Sequence, residues 1–368
     1  MHRPRVIVSG ARSRAGTAAI RALGRDGFEV LAADYAPVPL GLRSRWAVGL
    51  LELPPPPRWD GLAAELENAE AQAILPMESA LVGFCVAQRE RLRQVLGVAV
   101  PSQAGFREAY DNRLTLAACA RLGIPAPRIV DPATCDGPVV VKPRPDIGAA
   151  RGVAFCRSRA EVAQAMAACR LLGEPLVEEF IPGGPEAMRT AVLLFDRRSR
   201  PVAHFSTRKL SQWPTTGGVT TMSVSTDDRA LVELVLPLFA AWHWEGPAEV
   251  ELKIDARDGR AKLIEVNPRL PSYLSFAIRC GLNLPRLCAL VALGESPASG
   301  PYKVGRTYVN PVLHLKAQLT GSGPPLGVVR TLRDMRGTYR GDGLDWVDPA
   351  PRLARIAARL RRRRSPTA

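Results

Sequence analysis

The sequence predicts an α/β domain followed by an α+β domain, and two observations support this division. Strand-like and helix-like segments alternate over the first 100 residues, which is typical of a parallel sheet with helical connections. After Pro101, strand-like segments pair across short turns between helices, a pattern that favours antiparallel sheets. A chain of 368 residues suffices for roughly two to three domains without disulfide or metal support.

The first elements predict a βαβ unit, with strands over 5–9 and 28–33 and a helix over 17–25. The turn between them, GARSRAG, lacks the middle glycine of GxGxxG. It therefore indicates dinucleotide binding only weakly, although Asp34 follows the second strand. Another strand ends near Glu78. We expect this side chain to face the crevice beyond the sheet, where it would orient an amine, or to cap the next helix.

The second half is predicted as a mixture of helices and mainly antiparallel strands. A helix is expected over 103–122, followed by a break at GIPAP and a hairpin-like pair of strands around Ile129 and 139–143. The later predicted elements are a helix over 160–172, strands over 175–180, 188–206 and 218–226, a helix over 228–242, and the strands EVELKI and AKLIEV.

The formal net charge of +15 suggests a nucleic-acid or membrane-surface partner at first sight. Only six of the 50 basic residues are lysines, so we interpret the charge as a general arginine bias and expect no nucleic-acid partner. The terminal RLRRRR stretch keeps a polyanion interpretation open. No apolar run is long enough to span a membrane, and the N-terminus does not resemble a secretory signal, so a cytoplasmic location is expected.

The seven cysteines form no CxxC pair and the four histidines no HExxH, which argues against a zinc site or a disulfide framework. Acidic side chains instead gather on the last two predicted strands. Glu249 and Glu251 lie on the first strand, and Glu265 and Asn267 share one face of the second. Their oxygens are suitable Mg²⁺ ligands, and Arg269 next to them could bind phosphate; a solvated strand face fits the pattern equally well.

Two further segments have patterns typical of nucleotide binding. VVVKPRPDIGAARGV (139–153) places Lys142 at a strand end before a loop with Gly148 and Gly152, where backbone amides and an ammonium could hold phosphate. A hairpin with surface charges is the alternative. PLVEEFIPGGPE (175–186) is a strand entering a glycine-rich turn, and such a hinge can offer a carbonyl and an N–H to an adenine edge.

Taken in order, these motifs resemble the ATP-grasp superfamily, in the manner of its carbamoyl-phosphate-synthetase-like and D-alanine–D-alanine-ligase-like members. The resemblance covers roughly residues 1–295 and rests on LIEVNPR together with the two segments above. It implies a Rossmann-like pre-ATP-grasp domain followed by a two-lobed ATP-grasp domain. The expected divisions are 1–100 for the first domain, 101–187 for the small lobe with its helical linker, 188–298 for the large lobe, and 299–368 for an arginine-rich extension.

The resemblance also implies a role for each matching residue. The residues expected to bind ATP are Lys142, Gly148 and Gly152 at the phosphates, Glu178 with the backbone of Glu179 and Ile181 at the adenine, and Glu186 at the ribose. Glu251, Glu265 and Asn267 would hold two Mg²⁺ ions, with Glu265 bridging them and Mn²⁺ as a substitute. Arg269 and Lys209 would be the catalytic residues that stabilise the transferring phosphate.

The sequence departs from the family pattern at two places. Asp111-Asn112-Arg113 stands where the family usually has Asp-Lys, so either Arg113 replaces that lysine or the contact is lost. The phosphate loop is also poorer in glycine than usual. After the metal motif, Ser272, Tyr273 and Arg279 are expected to line the acceptor side, with a solvated helix position as the alternative for Arg279. The loop 215–219 is expected to act as a lid.

The implied activity is that of an ATP-dependent carboxylate–amine ligase, which forms an amide through an acyl phosphate and releases ADP and phosphate. Its expected partners are a small-molecule carboxylate and an amine, and a homodimer is left open. Two alternatives remain. One is a grasp-fold protein that binds nucleotide without ligating and uses the basic tail on a polyanion; the other is a nicotinamide-dependent oxidoreductase that would use GARSRAG and Asp34.

Overall fold

The computed structural model describes residues 3–35, 44–56, 59–135, 137–145, 150–214, 217–322, 326–336, 338–340, 347–351 and 353. Their strands form three sheets, of five, three and seven strands. The five-stranded sheet is parallel, and the other two are mainly antiparallel. The predicted change from a parallel to an antiparallel architecture along the chain is therefore confirmed.

The parallel sheet has the strand order β3-β2-β1-β4-β5. Its strands are β1 (Arg5–Val8), β2 (Glu29–Tyr35), β3 (Ala47–Leu53), β4 (Ala73–Leu75) and β5 (Gly97–Val98), and its helices are α1 (Arg14–Arg25), α2 (Leu62–Asn68), α3 (Ser79–Ala87) and α4 (Arg89–Leu92). Val6 and Val8 of β1 belong to one buried cluster, whereas Ile7 belongs to another on the opposite face. Because both faces are covered, β1 is a continuous apolar run rather than an alternating one.

The segment predicted as one helix over 103–122 consists of two helices, α5 (Gln103–Tyr110) and α6 (Asn112–Leu122). Asp111 separates them, because its backbone is extended (φ −99°, ψ 107°) and its side chain accepts a hydrogen bond from the Arg113 N–H. The same carboxylate binds the Arg144 guanidinium. The prediction of a single helix was wrong because an aspartate can act as an N-cap in the middle of a helix-favouring sequence.

The three-stranded sheet has the order β7-β6-β8 and contains β6 (Val139–Pro143), β7 (Ala154–Cys156) and β8 (Pro175–Glu179). Helix α7 (Arg159–Arg170) contributes Val162 and Cys169 to the small buried cluster of this sheet. The hairpin predicted between the segment around Ile129 and 139–143 is not formed. Ile129 instead makes an isolated bridge with Glu178 of β8, so β8 lies between it and β6.

The seven-stranded sheet has the order β13-β12-β9-β10-β11-β14-β15. Its strands are β9 (Met188–Phe195), β10 (Pro201–Trp213), β11 (Val219–Thr226), β12 (Gly246–Ile254), β13 (Ala261–Asn267), β14 (Thr307–Val309) and β15 (Tyr339–Arg340). The strand predicted over 188–206 was wrong, since β9 and β10 are antiparallel partners. Asp196 makes the turn between them by accepting hydrogen bonds from the backbone N–H groups of Arg198 and Arg200.

The remaining helices are α8 (Arg229–Ala241), α9 (Leu274–Arg279), α10 (Leu284–Ala292), α11 (Pro311–Ser322) and α12 (Leu326–Met335). Buried side chains of β1, α9, α10 and the seven-stranded sheet form one continuous cluster, which includes Val8, Phe276, Phe205 and Tyr308. All seven cysteines are buried and none forms a disulfide. None of the described helices is long and apolar enough to cross a bilayer. The basic stretch at 358–368 lies outside the described residues.

A buried ion cluster connects the parallel sheet to the seven-stranded sheet. The Glu245 side chain, just before β12, is 1% exposed and accepts hydrogen bonds from Arg89 (2.8 Å) and Arg93, with Arg197 at 3.8 Å. Removing the charge of a buried, paired carboxylate is strongly destabilising. We expect Glu245→Gln to lower the free energy of unfolding by about 3 kcal/mol, as measured by urea denaturation. A loss no larger than that of Glu233→Gln, an exposed carboxylate on α8, would contradict this role.

Candidate active site

A cavity of about 1290 Å³ lies between the three sheets. Its walls contain predicted site residues from five different strands or the segments that follow them. These residues are Lys142, Glu178, Glu179, Ile181, Lys209, Glu251, Glu265, Asn267 and Arg269. The structure thus brings together side chains that are up to 127 positions apart in the chain, as counted from Lys142 to Arg269.

Among the described residues that were predicted to bind ATP, two do not line this cavity. Gly148 lies outside the described residues. Gly152 lies beside the small sheet with φ +74°, where a Cβ would approach Pro143 and Leu172 to 2.9 Å, so glycine is required there for packing. Glu186 is on a short 3-10 turn (Pro185–Ala187) next to the cavity wall, and its carboxylate acts electrostatically on Lys253, which does line the cavity.

Lys142 and Glu178 form a buried ion pair across the small sheet. The Lys142 Nζ lies 3.0 Å from Glu178 Oε1 and donates a second hydrogen bond to the Ile264 carbonyl at 3.2 Å. The two side chains are 7% and 4% exposed. Burial raises the pKa of Glu178, and the Lys142 ammonium opposes this rise. Within the described part of the chain, Glu178 Oε2 is buried and has no hydrogen-bond partner, so this oxygen fits a donor such as the amino group of an adenine.

The carboxylate of Glu179, at the end of β8, is engaged by two arginines. Its carboxylate pairs with Arg257 at 2.7 Å and Arg128 at 3.3 Å, and its backbone N–H donates to the Arg128 carbonyl at 2.8 Å. Ile181 is buried at the cavity wall, and Phe180 packs edge-on against Phe155 with 5.8 Å between ring centroids. The two rings line the cavity and give this end an apolar character that suits a planar base.

Two lysines, Lys209 and Lys253, line the cavity, and the Lys253 ammonium lies over the Phe180 ring at 5.2 Å. Lys209 of β10 donates to Gln212 Oε1 at 3.2 Å and to the Gly218 carbonyl at 3.3 Å. Burial lowers the pKa of Lys253, and the nearby Lys209 lowers it further. Two ammonium groups held close together in a partly buried wall favour the binding of an anion.

The acidic groups of the two last predicted strands also meet in the cavity. Glu251 of β12 is paired in register with Glu265 of β13, and Glu249 with Asn267. The Arg269 guanidinium donates to Glu249 at 3.2 Å and to the Asn267 amide oxygen at 3.0 Å. The predicted juxtaposition of these acidic groups is therefore observed, and Glu249 emerges as the partner of Arg269.

This donor set fits Mg²⁺, although it does not form an all-protein cage. Among the described residues, no three His, Cys, Asp or Glu side chains converge on one point as they do around a fully protein-bound metal. Two carboxylates and an amide oxygen are hard ligands, and the amide oxygen has a second lone pair besides the one used by Arg269. Mg²⁺ commonly keeps several waters and takes its other ligands from phosphates, so a partial set of this kind suits it.

The parallel sheet contributes the opposite end of the cavity. Glu78 follows β4 and lines the wall, as expected for a crevice position, and its side chain makes no capping hydrogen bond to α3. Ser9, which follows β1, donates its hydroxyl to Glu78 Oε2 at 2.6 Å. Burial raises the pKa of Glu78 to about 7; the Asp34 carboxylate adds to this rise, and the Ser9 hydroxyl and Arg269 oppose it.

The same contacts argue against nicotinamide binding at GARSRAG. Glu78 Oε1 lies against Gly10, only 2.0 Å from where a Cβ would be. Asp34 accepts hydrogen bonds from the backbone N–H groups of Arg12 (2.6 Å) and Tyr35 (2.8 Å). A carboxylate placed against the first glycine of the turn would repel a pyrophosphate. The Asp34 carboxylate is already engaged by backbone N–H groups, including that of Arg12 in the turn, rather than directed toward a ribose.

Of the three residues expected on the acceptor side, two line the cavity and one does not. Ser272 and Tyr273 line the cavity. Arg279 does not, because its guanidinium lies over the Tyr339 ring at 6.0 Å. In the segment Asp111-Asn112-Arg113, where the family usually has Asp-Lys, the Asn112 side chain lines the cavity and donates a hydrogen bond to the Arg144 carbonyl at 2.9 Å. Arg113 is exposed on α6 and does not line the cavity. The predicted lid begins with two residues, 215 and 216, that lie outside the described ranges.

No protein-family model matches the sequence, and no curated protein shows a significant match. Solved structures do match. N5-carboxyaminoimidazole ribonucleotide synthetase in complex with ADP has 15% identity and a TM-score of 0.66, with 87% of each chain covered. L-amino acid ligase from Bacillus licheniformis has 16% identity and a TM-score of 0.63, over 83% of this chain and 78% of that one.

A third match is to Rhizobium etli pyruvate carboxylase, with 17% identity and a TM-score of 0.65 over 83% of this chain. The chain spans 30% of the length of that enzyme. At these identities the likeness is one of fold. The fold that the chain shares with these proteins is the ATP-grasp fold, so the resemblance predicted from its motifs is confirmed at the level of the fold.

Proposed function

We propose that the protein is an ATP-dependent carboxylate–amine ligase that forms an amide through an acyl phosphate. One observation carries this proposal: a single cavity contains an apolar slot with an unpaired acceptor, a group of cations and a hard-oxygen donor set. These are the three parts that a nucleotide base, its phosphates and their Mg²⁺ require. The ligase name and the ADP complex among the matching structures support the same reaction class.

In this proposal the base of ATP lies against the side chains of Phe180 and Ile181, and its amino group donates a hydrogen bond to Glu178. Lys142 would contact the phosphates of ATP, and its ion pair with Glu178 would hold the ammonium group in place. Glu179 contributes its backbone alone, since its carboxylate is engaged by two arginines. Glu186, whose carboxylate acts electrostatically on Lys253, would bind the ribose.

Phosphoryl transfer would occur between the cations and the donor set. Glu251, Glu265 and Asn267 would hold Mg²⁺, which when bound neutralises charge on the phosphates. Lys209 and Arg269, which line the same cavity, would stabilise the charge that develops when a substrate carboxylate oxygen attacks the γ-phosphorus. A second metal ion and the replacement of Mg²⁺ by Mn²⁺ belong to the same proposal.

The division into a Rossmann-like domain (1–100), a small lobe (101–187), a large lobe (188–298) and an extension (299–368) is part of the proposal too. The strand order 3-2-1-4-5 supports the first of these. A homodimer and a cytoplasmic location remain proposals that rest on the sequence alone.

The test supplies the purified protein with ATP, Mg²⁺ and hydroxylamine, together with bicarbonate or the common L-amino acids as carboxylate donors. Hydroxylamine captures acyl phosphates as hydroxamates, which mass spectrometry identifies. We expect carboxylate-dependent release of ADP and phosphate, accompanied by a hydroxamate. Tight ATP binding with no ADP release from any carboxylate pool would contradict the proposal and favour a nucleotide-binding protein that does not ligate.

A further inference from the structure

The end of the cavity next to the parallel sheet lies at a topological switch point. In the order β3-β2-β1-β4-β5, the chain proceeds from β1 in one direction to β2 and β3, and from β4 in the other direction to β5. Ligands of open α/β sheets bind outside the carboxyl ends of the strands at the place where the direction changes. Ser9 follows β1 and Glu78 follows β4, so both stand at this place.

Glu78 is held there in one orientation. Ser9 Oγ accepts a hydrogen bond from the Met77 N–H at 2.9 Å, which leaves the hydroxyl hydrogen to be donated to Glu78 Oε2 at 2.6 Å. The other oxygen lies against Gly10, where any side chain would collide with it. The backbone at Gly10 has φ +64°, which also favours glycine. The turn after β1 is thus shaped around this carboxylate.

The charges around Glu78 distinguish it from the rest of the cavity. Asp34, which ends β2, and Arg269, which follows β13, act on it with opposite signs, and Arg14 of α1 lines the same wall. The phenol of Tyr35 is also within electrostatic reach. Lys209 and Lys253 favour anions at their part of the cavity wall, whereas the Glu78 carboxylate repels anions and attracts an amine.

We propose that Glu78 binds the amino group of the acceptor substrate and takes up the proton that this group, as an ammonium ion, must lose before it attacks the acyl phosphate. This inference rests on the ligase activity proposed above. It defines the acceptor as a primary or secondary amine that enters beside the parallel sheet. A carboxyl group with a pKa near 7 is suited to this exchange, because it can accept and return a proton close to neutral pH.

The step balances as follows. The amine enters as an ammonium ion and gives one proton to the Glu78 carboxylate. Its nitrogen then forms a bond to the acyl carbon, and the bond from that carbon to the phosphate oxygen breaks, with the electron pair leaving on phosphate. The second proton of the nitrogen goes to the departing phosphate. Glu78 releases its own proton to solvent after the amide has left.

The test compares Glu78→Gln with Glu90→Gln, which removes an exposed carboxylate from α4. Glutamine keeps an oxygen that can accept from Ser9. Hydroxylamine is uncharged at neutral pH and needs no base, so Glu78→Gln should form the hydroxamate at the wild-type rate. Amide formation from the common L-amino acids or ammonium should fall by about 10²-fold, while Glu90→Gln keeps both activities.

The pH profile provides a second measurement. In the wild type, kcat/KM for the amine should rise with pH through about 7 as Glu78 ionises, beyond the rise caused by the amine itself. In Glu78→Gln this additional rise should be absent. Should Glu78→Gln fail to fold, Ser9→Ala is used instead, since it removes the hydroxyl that holds the carboxylate; it should slow amide formation more than hydroxamate formation.

The outcomes separate the two proposals. A wild type that forms no hydroxamate and shows no carboxylate-dependent ADP release contradicts the ligase activity itself. A wild type that forms hydroxamate, together with a Glu78→Gln variant that makes amide normally, overturns only the role of Glu78. Equal loss of hydroxamate and amide in a folded Glu78→Gln variant also overturns it, because the residue would then act before the amine enters.

Discussion

Glu265→Gln is expected to lower carboxylate-dependent ADP release by about 10³-fold or more, because it removes a charge from the centre of the proposed metal site. Glu265 lies opposite Glu251 on neighbouring strands. Glutamine has nearly the same shape, so the change removes charge without opening a cavity. Folding should be affected little: the free energy of unfolding should stay within about 0.5 kcal/mol of the wild type.

Two measurements identify the cause of this loss. ATP affinity, measured by calorimetry with Mg²⁺ and with a chelator, should depend strongly on Mg²⁺ in the wild type and weakly in Glu265→Gln. The matched control is Asp258→Asn, which removes an exposed carboxylate from the turn between β12 and β13. Near-normal turnover in Glu265→Gln, or an equal loss in the control, would refute the metal assignment.

Lys142→Met is the second change with a large expected effect. It leaves Glu178 buried without its partner, which should lower the free energy of unfolding by about 3–5 kcal/mol near neutral pH. Nucleotide affinity should fall as well, since the proposed phosphate contact is lost. Thermal denaturation and ATP calorimetry measure the two effects separately.

The pH dependence of this variant has a definite sign. Burial raises the pKa of Glu178, and without Lys142 nothing opposes that rise. A carboxyl group whose pKa is raised by folding contributes stability below its unfolded pKa, and this contribution is lost as the pH rises through the folded pKa. The deficit of Lys142→Met relative to the wild type should therefore be larger at pH 8 than at pH 5.

A double variant separates stability from nucleotide binding. Lys142→Met with Glu178→Gln removes the uncompensated charge and should recover most of the lost stability, while ATP affinity remains low. Lys303→Met, at an exposed lysine, is the control for removing one positive charge. Recovery of ATP affinity in the double variant would show that Lys142 serves the fold alone.

The sequence was most informative where local pattern determines structure. The alternation of strands and helices before Pro101 predicted a parallel sheet, and the two acidic strands predicted the neighbouring carboxylates of β12 and β13. Errors arose where a single side chain interrupts a pattern. Asp111 caps a helix in the middle of a helical segment, and Asp196 folds one expected strand into two.

Other features depend on tertiary register and have no local signal. Ser9 could not be linked to Glu78 without knowing that β1 and β4 are neighbours, since 69 positions separate them. Likewise, Arg279 has the charge expected of an acceptor-side residue, yet Tyr339 in a distant segment binds it. Glu249 was recognised as one of the acidic group, but its engagement with Arg269 follows from the turn after β13.

The arrangement of the buried clusters has a mechanical consequence. The small sheet that carries Lys142 and Glu178 has its own core, which includes Val141, Val162 and Val177. The core beneath the Glu78 end is continuous with that of the seven-stranded sheet. A hinge motion of the small sheet would therefore leave both cores buried, whereas the Glu78 end cannot move apart from the seven-stranded sheet without disrupting their common core. If the proposed function holds, exchange of ADP for ATP would involve the part of the molecule with its own core, and binding of the amine the part that shares a core with the large sheet.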